Sequence, residues 1–286
     1  MLSLGFYERE VRFYEQLAPH SQLQTPRCYF SALDPGEGLF LLLLEDLAHA
    51  RNGSWAAGCS LDEAEAAVRA IAAFHAAWWR QPQLAEKNWF QLRGVTSVQA
   101  EPAFFEQMWE PFLDRLGAHV TTEILQCGEW LHRHLRWLLA YLYEDAAATL
   151  IHNDYQLDNL FFTGNGAALS VTVADWQLTT RGCGAQDVAF FLGGNLDSNV
   201  RRDQEMRLLR TYHTLLIENG VEDYPLDQCL YEYRLAMLHP ICRLSSVIGL
   251  GAAHAGQLRT WCDVIVPRYC LAVHDLNVGE LLNAHG

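Results

Sequence analysis

Apolar positions set the first reading of this chain. In "FYEREVRFYEQL", Phe6, Val11, Phe13, Tyr14 and Leu17 fall near helical spacing with charges between them, which predicts an amphipathic helix over 6–17. "TPRCYFSALD" and "LFLLLLEDL" are strand-like runs on either side of the turn signal "PGEG", so a hairpin is expected, its second strand buried. "RNGSWAAGCS" has loop composition. "SLDEAEAAVRAIAAFHAAWW" predicts a strong helix: Ser60 can cap it, Glu63 completes a capping box, and alanine fills the interior. Further helices are expected around 103–117 and 121–144.

The pattern then changes. "TLIHNDY" predicts a short strand running into a loop, "NLFFT" a strand, "GNG" a turn, and "ALSVTVADW" a strand rich in β-branched residues. From 185 onward "AQDVAFFLGG", "VRRDQEMRLLRTYHTLLIENG" and "LDQCLYEYRLAMLHPICRLSSVIG" are helical again. No internal repeat or low-complexity linker interrupts this order. The expectation is an α+β chain in two parts. Residues 1–47 form a small mixed piece, and 48–286 a larger, mainly helical one with a short hairpin at its centre.

Composition narrows the function. With 50% hydrophobic and 19% charged residues over 286 positions, the chain has the profile of a soluble globular enzyme. Its 34 acidic against 20 basic residues, net −14, argue against a nucleic-acid surface, which needs clustered Lys and Arg. Eight cysteines without a Cys-x-x-Cys pair read as small buried hydrophobes in a reducing compartment. The N-terminus carries charges where a signal peptide needs an apolar run, and the apolar run "GLFLLLL" is far too short to span a bilayer. A cytoplasmic protein without a membrane partner is expected. One lysine, Lys87, occurs in the whole chain.

The candidate chemistry sits in "LIHNDYQLDNLFF" and the strand after it. A hairpin over 150–176 would have its first strand deliver His152 and Asp154. A turn at Gly164–Gly166 would return Asp175 to the end of the ribbon where Asn159 starts. Asp154, Asn159 and Asp175 would then share one end. Two carboxylates and an amide oxygen are hard ligands suited to Mg²⁺, and no Cys or His pairing favours zinc. Asp158 reads as a solvated loop carboxylate and His75 as a buried helix histidine. A metal-dependent hydrolase using His152, Asp154 and Asp175 is one reading of such a set.

His152-x-Asp154-x-x-x-x-Asn159 followed by Asp175 resembles the catalytic loop and metal-binding aspartate of protein-kinase-like phosphotransferases. "HNDYQLDNLFF", "VADWQ" and "GCGAQDVAFFLGG" resemble the aminoglycoside phosphotransferase and choline kinase superfamily, nearest its ecdysteroid-kinase-like branch. "FYEREVRFYEQL", "TPRCYF", "LLLLEDL" and "AAFHAAWW" are similar, in order, to that family's N-lobe helix, following strand, hinge and first C-lobe helix. The resemblance implies a protein-kinase-like fold with two lobes and an ATP- and Mg²⁺-dependent transfer to the hydroxyl of a small molecule. It implies that Asp154 accepts the hydroxyl proton, that Asn159 and Asp175 hold Mg²⁺, and that His152 orients the loop. It implies that backbone groups of Glu45 and Leu47 hold adenine, that Glu10 is the helix glutamate paired with the phosphate-binding lysine, and that Asp187 braces the catalytic loop. The short stretch from Asp175 to Asp187, without A-P-E or a phosphosite arrangement, favours a small-molecule acceptor over a protein. C-terminal residues Trp261, Tyr269, His239 and His254 are expected to line the acceptor pocket.

The family places a Gly-rich strand-turn-strand and a lysine ahead of the helix that begins here near residue 6. An N-terminally shortened form is therefore expected, with a pseudokinase-type nucleotide- or partner-binding domain as the alternative. The acceptor and the oligomeric state are not read from the sequence.

Overall fold

The protein's computed structural model describes residues 5–84, 87, 89, 97–146, 148–252 and 254–283. The N-terminal part is helix α1 (Phe6–Gln16) followed by an antiparallel hairpin of β1 (Cys28–Asp34) and β2 (Leu39–Leu44). Facing pairs Phe30–Leu43, Ala32–Leu41 and Asp34–Leu39 share one face, and the pairing slips between Cys28 and Phe30. The other face, with half-buried Leu42 and Leu44, rests on α1, where Tyr7 stacks on Phe40 at 3.8 Å. The expected buried second strand is thus corrected. Leu39, Leu41 and Leu43 are 65%, 56% and 57% exposed. A two-stranded sheet backed by one helix has a second face, and no described element covers it.

The larger part starts with β3 (Arg51–Asn52) and α2 (Leu61–Ala77). Both halves of the capping box form: Glu63 N–H donates to Ser60 Oγ, and Ser60 N–H donates to the Glu63 carboxylate at 2.7 Å. Helices α3 (Glu101–Leu116) and α4 (Thr122–Ala140) follow. The predicted helix to 144 loses α-geometry at Tyr141, where a wider π turn runs to Asp145. After the central strands come α5 (Ala185–Asn195), α6 (Ser198–Glu218), α7 (Leu226–Ala236) and α8 (His239–Leu250). Helices α9 (Ala255–Thr260), α10 (Val266–Asp275) and α11 (Val278–Asn283) close the chain. All of α5 is buried, with α2, α6, α7 and α10 packed on it. Gly194 permits that packing, because a Cβ there would stand 2.7 Å from the Trp55 Nε1 position and closer still to the Tyr269 hydroxyl. Among the described residues no helix is long and apolar enough to cross a membrane.

Two small sheets lie between α4 and α5. Strands β5 (Leu160–Thr163) and β6 (Ser170–Val173) pair antiparallel, with β3 on the outer edge of β5. Strand β4 (Thr149–Ile151) is not part of this ribbon, contrary to the hairpin expected over 150–176. It pairs with β7 (Thr180–Gly182). Both β3 and β7 went unread in the sequence, being two and three residues long; runs that short show no alternation to detect. The N-terminal part docks on the ribbon's end. Phe13 stacks on the fully buried Trp176 at 3.8 Å with rings 7° apart, and Gln24 bridges to Thr172.

Candidate active site

The register of β5 and β6 decides which polar groups meet. Leu160 faces Val173, so Asn159 and Asp175, one and two residues beyond them, stand at the same end. Ala174 N–H donates to the Asn159 carbonyl at 3.0 Å and closes that end. Asp154 reaches the place from the loop after β4. Asn159 Nδ2 donates to the Asp154 carbonyl at 2.9 Å and to its Oδ2 at 3.1 Å. With the amide nitrogen so engaged, Oδ1 is the acceptor atom of the Asn159 side chain. Asp175 sits at φ 64°, a left-handed backbone that asparagine and aspartate adopt more readily than most residues. Burial raises its pKa first, and the negative charge of Asp154 raises it further.

His152 is fully buried. Its Nδ1 accepts the Asp154 N–H at 3.2 Å, which leaves the proton on Nε2 to be donated to the Ala174 carbonyl at 3.0 Å. The ring therefore spans from the residue before Asp175 to Asp154 itself. Asp187 holds the same loop from below, its two oxygens accepting the N–H groups of His152 at 2.7 Å and Asn153 at 2.8 Å. His75, on α2, is buried between Asp187 Oδ2 at 3.1 Å and the Tyr212 hydroxyl at 2.8 Å. Asp187 thus bonds two loop N–H groups and the His75 ring without facing solvent.

Glu10 comes to the site from α1. Its Oε1 accepts the Trp176 N–H at 3.3 Å. Burial, then the charge of Asp175, push its pKa up to about 7. Lys87 is not opposite it; the ammonium donates to Gln16 Oε1 at 2.9 Å. In the segment after β2, Glu45 is tied to Arg27 by its N–H at 2.8 Å and by its carboxylate at 3.1 Å. Among the described residues the Glu45 carbonyl and the Leu47 N–H take no backbone partner.

Asp158 is a solvent-exposed loop carboxylate, as expected, with one bond besides. Its Oδ1 accepts the Trp55 N–H at 2.8 Å, and it lines a pocket of about 360 Å³ with Trp55, His254, Thr260, Trp261 and Ile265. His254 and Trp261, two of the four C-terminal residues expected at an acceptor pocket, line this cavity. Tyr269 and His239 do not. The first is fully buried with its hydroxyl on the Phe190 carbonyl, and the second is paired with Glu101 in the core.

Sequence reasoning passed over three groups at the loop. Tyr143 donates its hydroxyl to Asn153 Oδ1 at 2.9 Å, and Asn195 Oδ1 accepts the Leu157 N–H at 2.9 Å. Arg243, from α8, donates Nη1 to the Asn153 carbonyl and places Nη2 3.9 Å from Asp154 Oδ1. A signal for Arg243 existed: it is a single charge inside the apolar run "PICRLSSVIG".

The profile of the ecdysteroid kinase-like family matches residues 1–221. Two solved structures are similar over nearly the whole chain. An aminoglycoside phosphotransferase from Alicyclobacillus acidocaldarius matches with TM-score 0.55 and 16% identity, over 96% of this chain and 84% of that one. A microcompartment-associated aminopropanol kinase matches with TM-score 0.55 and 16% identity, over 99% and 83%. At such identity the likeness establishes the fold, the expected two-part kinase-like arrangement of small N-terminal sheet and helical C-terminal part. Acyl-CoA dehydrogenase family member 10 of Mus musculus is 38% identical over 60 residues, 21% of this chain but only 6% of that protein.

Proposed function

From the premise that this chain belongs to the ecdysteroid kinase-like family, within the kinase-like phosphotransferases, we propose that it transfers the γ-phosphoryl group of ATP to a hydroxyl of a small molecule. The observation that carries this reading is the convergence of Asp154, Asn159 and Asp175 at one end of the ribbon, with the Asn159 amide turned onto Asp154. Asp154 orients the acceptor hydroxyl and accepts its proton as the new O–P bond forms. His152 holds the Asp154 N–H and Asp187 the two residues before it, so little reorganisation precedes the transfer.

The donor set fits Mg²⁺. Asn159 Oδ1 and the Asp175 carboxylate are hard oxygens, and among the described residues no three His, Cys, Asp or Glu side chains form a closed cage. Mg²⁺ is held in that manner, by one or two protein carboxylates plus phosphate oxygens. When bound, the ion offsets charge on the phosphates. The raised pKa of Asp175 accords with a carboxylate whose counter-charge arrives with the nucleotide. Adenine is assigned to the Glu45 carbonyl and Leu47 N–H, and Glu10 to the phosphate side. The acceptor is assigned to the pocket walled by Trp55, Trp261 and Asp158, whose last member lies on the catalytic loop.

A second reading is nucleotide binding without turnover, favoured by one observation: Lys87 donates to Gln16 and is not opposite Glu10. Thermal unfolding with Mg²⁺–ATP, ATP with chelator, and Mg²⁺ alone tests binding. Saturating ligand at a hundred times its dissociation constant stabilises by about 2.7 kcal/mol, or several degrees for a chain of this size. Asp154→Asn then separates the readings. It is expected to retain the Mg²⁺–ATP shift and to lower turnover by roughly 10²–10⁴-fold; unchanged turnover would remove Asp154 from its role.

A further inference from the structure

Asn153 precedes Asp154 and has φ 66°, the left-handed backbone that few residues besides glycine, asparagine and aspartate adopt. Its surroundings hold it there. The N–H goes to Asp187 Oδ1 at 2.8 Å, the side-chain oxygen receives the Tyr143 hydroxyl, and Nδ2 donates to the Leu178 carbonyl at 3.3 Å. The carbonyl, the group nearest Asp154, is taken by the Arg243 guanidinium. Arg243 comes from α8, whose neighbouring positions Cys242, Leu244, Ser245 and Ser246 are buried.

The guanidinium is placed by stacking, with its carbon 5.3 Å from the centroid of the Phe190 ring. From there one nitrogen bonds Asn153 and the other faces Asp154 Oδ1 at 3.9 Å, while Asn159 Nδ2 holds Asp154 Oδ2 at 3.1 Å. The carboxylate is thus flanked at both oxygens, by an amide on one and a cation on the other. Arg243 and Asp154 side chains are 22% and 19% exposed, so screening of the pair is weaker than at an open surface. A planar fork holds two nitrogens in fixed geometry, one on the backbone carbonyl and one toward the carboxylate, where an ammonium offers a single nitrogen.

We propose that Arg243 is a positioning residue of the catalytic loop, fixing the left-handed turn at Asn153 and the direction of Asp154, and tying both to helix α8. The proposal rests on the kinase reading for its consequence in turnover, and on the contact geometry for its consequence in stability.

The test uses the whole 286-residue chain. Arg243→Met keeps an unbranched stem over Phe190 and removes the fork; Arg243→Lys returns the charge without it. Release of ADP from Mg²⁺–ATP with water as acceptor is followed for each. The expected result for Arg243→Met is a kcat lowered on the order of 10-fold or more with the KM for ATP within about 2-fold, since misplacement of reacting groups acts on the transition state. Arg243→Lys should recover part of the loss. A wild-type kcat in Arg243→Met, or a raised KM alone, overturns the proposal.

Melting temperatures of Arg243→Met, Asp154→Asn and the double variant give the second measurement. Residues in contact are not additive, so the double variant should melt a degree or more away from the sum of the single changes. Additive changes overturn the contact. An inactive wild-type chain whose melting changes are non-additive overturns the kinase reading and upholds the clamp.

Discussion

Two hairpins of similar apolar content meet opposite fates in this molecule. The β1–β2 hairpin carries Phe30, Leu39, Leu41 and Leu43 on one face, each more than half exposed. The β5–β6 ribbon buries Leu160, Phe162, Val171 and Val173, all at 5% exposure or less. Hydrophobicity does not separate them; what lies opposite does. The ribbon has β3 along one edge, α2 against β6 and α1 docked on its end. The first hairpin has α1 alone. A strand's sequence states which face is apolar, and only the surrounding chain states whether that face is covered. Asn159 and Asp175 stand at the end of the covered hairpin, where the register is pinned by alternation on a buried face.

The largest expected effect tests the covered side. Phe162 is 3% exposed, faces Val171, and lies under the Arg51 guanidinium at 5.2 Å. Phe162→Ala should lower stability by about 3–5 kcal/mol, the range for a buried phenyl ring. Because Asn159 precedes the same strand, Mg²⁺–ATP stabilisation should fall with it. Urea unfolding of the variant measures the first and a nucleotide melt the second. A loss under 1 kcal/mol would mean the ribbon is no better packed than the first hairpin.

A smaller effect tests the joint between the two. Glu10 projects from the helix that backs the exposed hairpin and bonds the backbone at the end of the ribbon. Its pKa is raised from 4.5 to about 7 by burial and by Asp175. The neutral form is favoured in the fold, so the contribution is stabilising at low pH and is lost as pH rises from about 4.5 through about 7. The shift bounds this loss at roughly 3 kcal/mol. Glu10→Gln keeps an acceptor for the Trp176 N–H and removes the charge. In metal-free buffer it should melt several degrees above the wild type at pH 8 and level with it near pH 4. Equal melting at both pH values would show that Glu10 ionises freely.

How much of this was legible follows from the same contrast. Helix α2 could be read to its cap because Ser60 and Glu63 act within four residues. The convergence of Asn159 and Asp175 was legible because turn and alternation fix an antiparallel register. The partner of β4 was not, since β7 is three residues long and its pairing depends on where α5 begins. Arg243 lies 90 positions from the carbonyl it holds, and local periodicity carries no information over that distance. The four leucines at 41–44 were read as buried because they are apolar; burial is a property of the neighbours.

The smallest expected effect closes the comparison from the open side. Leu41 is 56% exposed, faces Ala32 across the hairpin, and points away from α1. Leu41→Thr introduces a β-branched strand former and removes little buried area, so stability should change by less than about 0.5 kcal/mol. Self-association should respond far more. An exposed apolar face beside an unpaired strand edge promotes pairing between chains, and light scattering at rising concentration should show Leu41→Thr staying monodisperse beyond the wild type. A melting loss like that of Phe162→Ala would sink the contrast, because a leucine can behave as core only where something covers it, and the face would then be an occupied interface in solution.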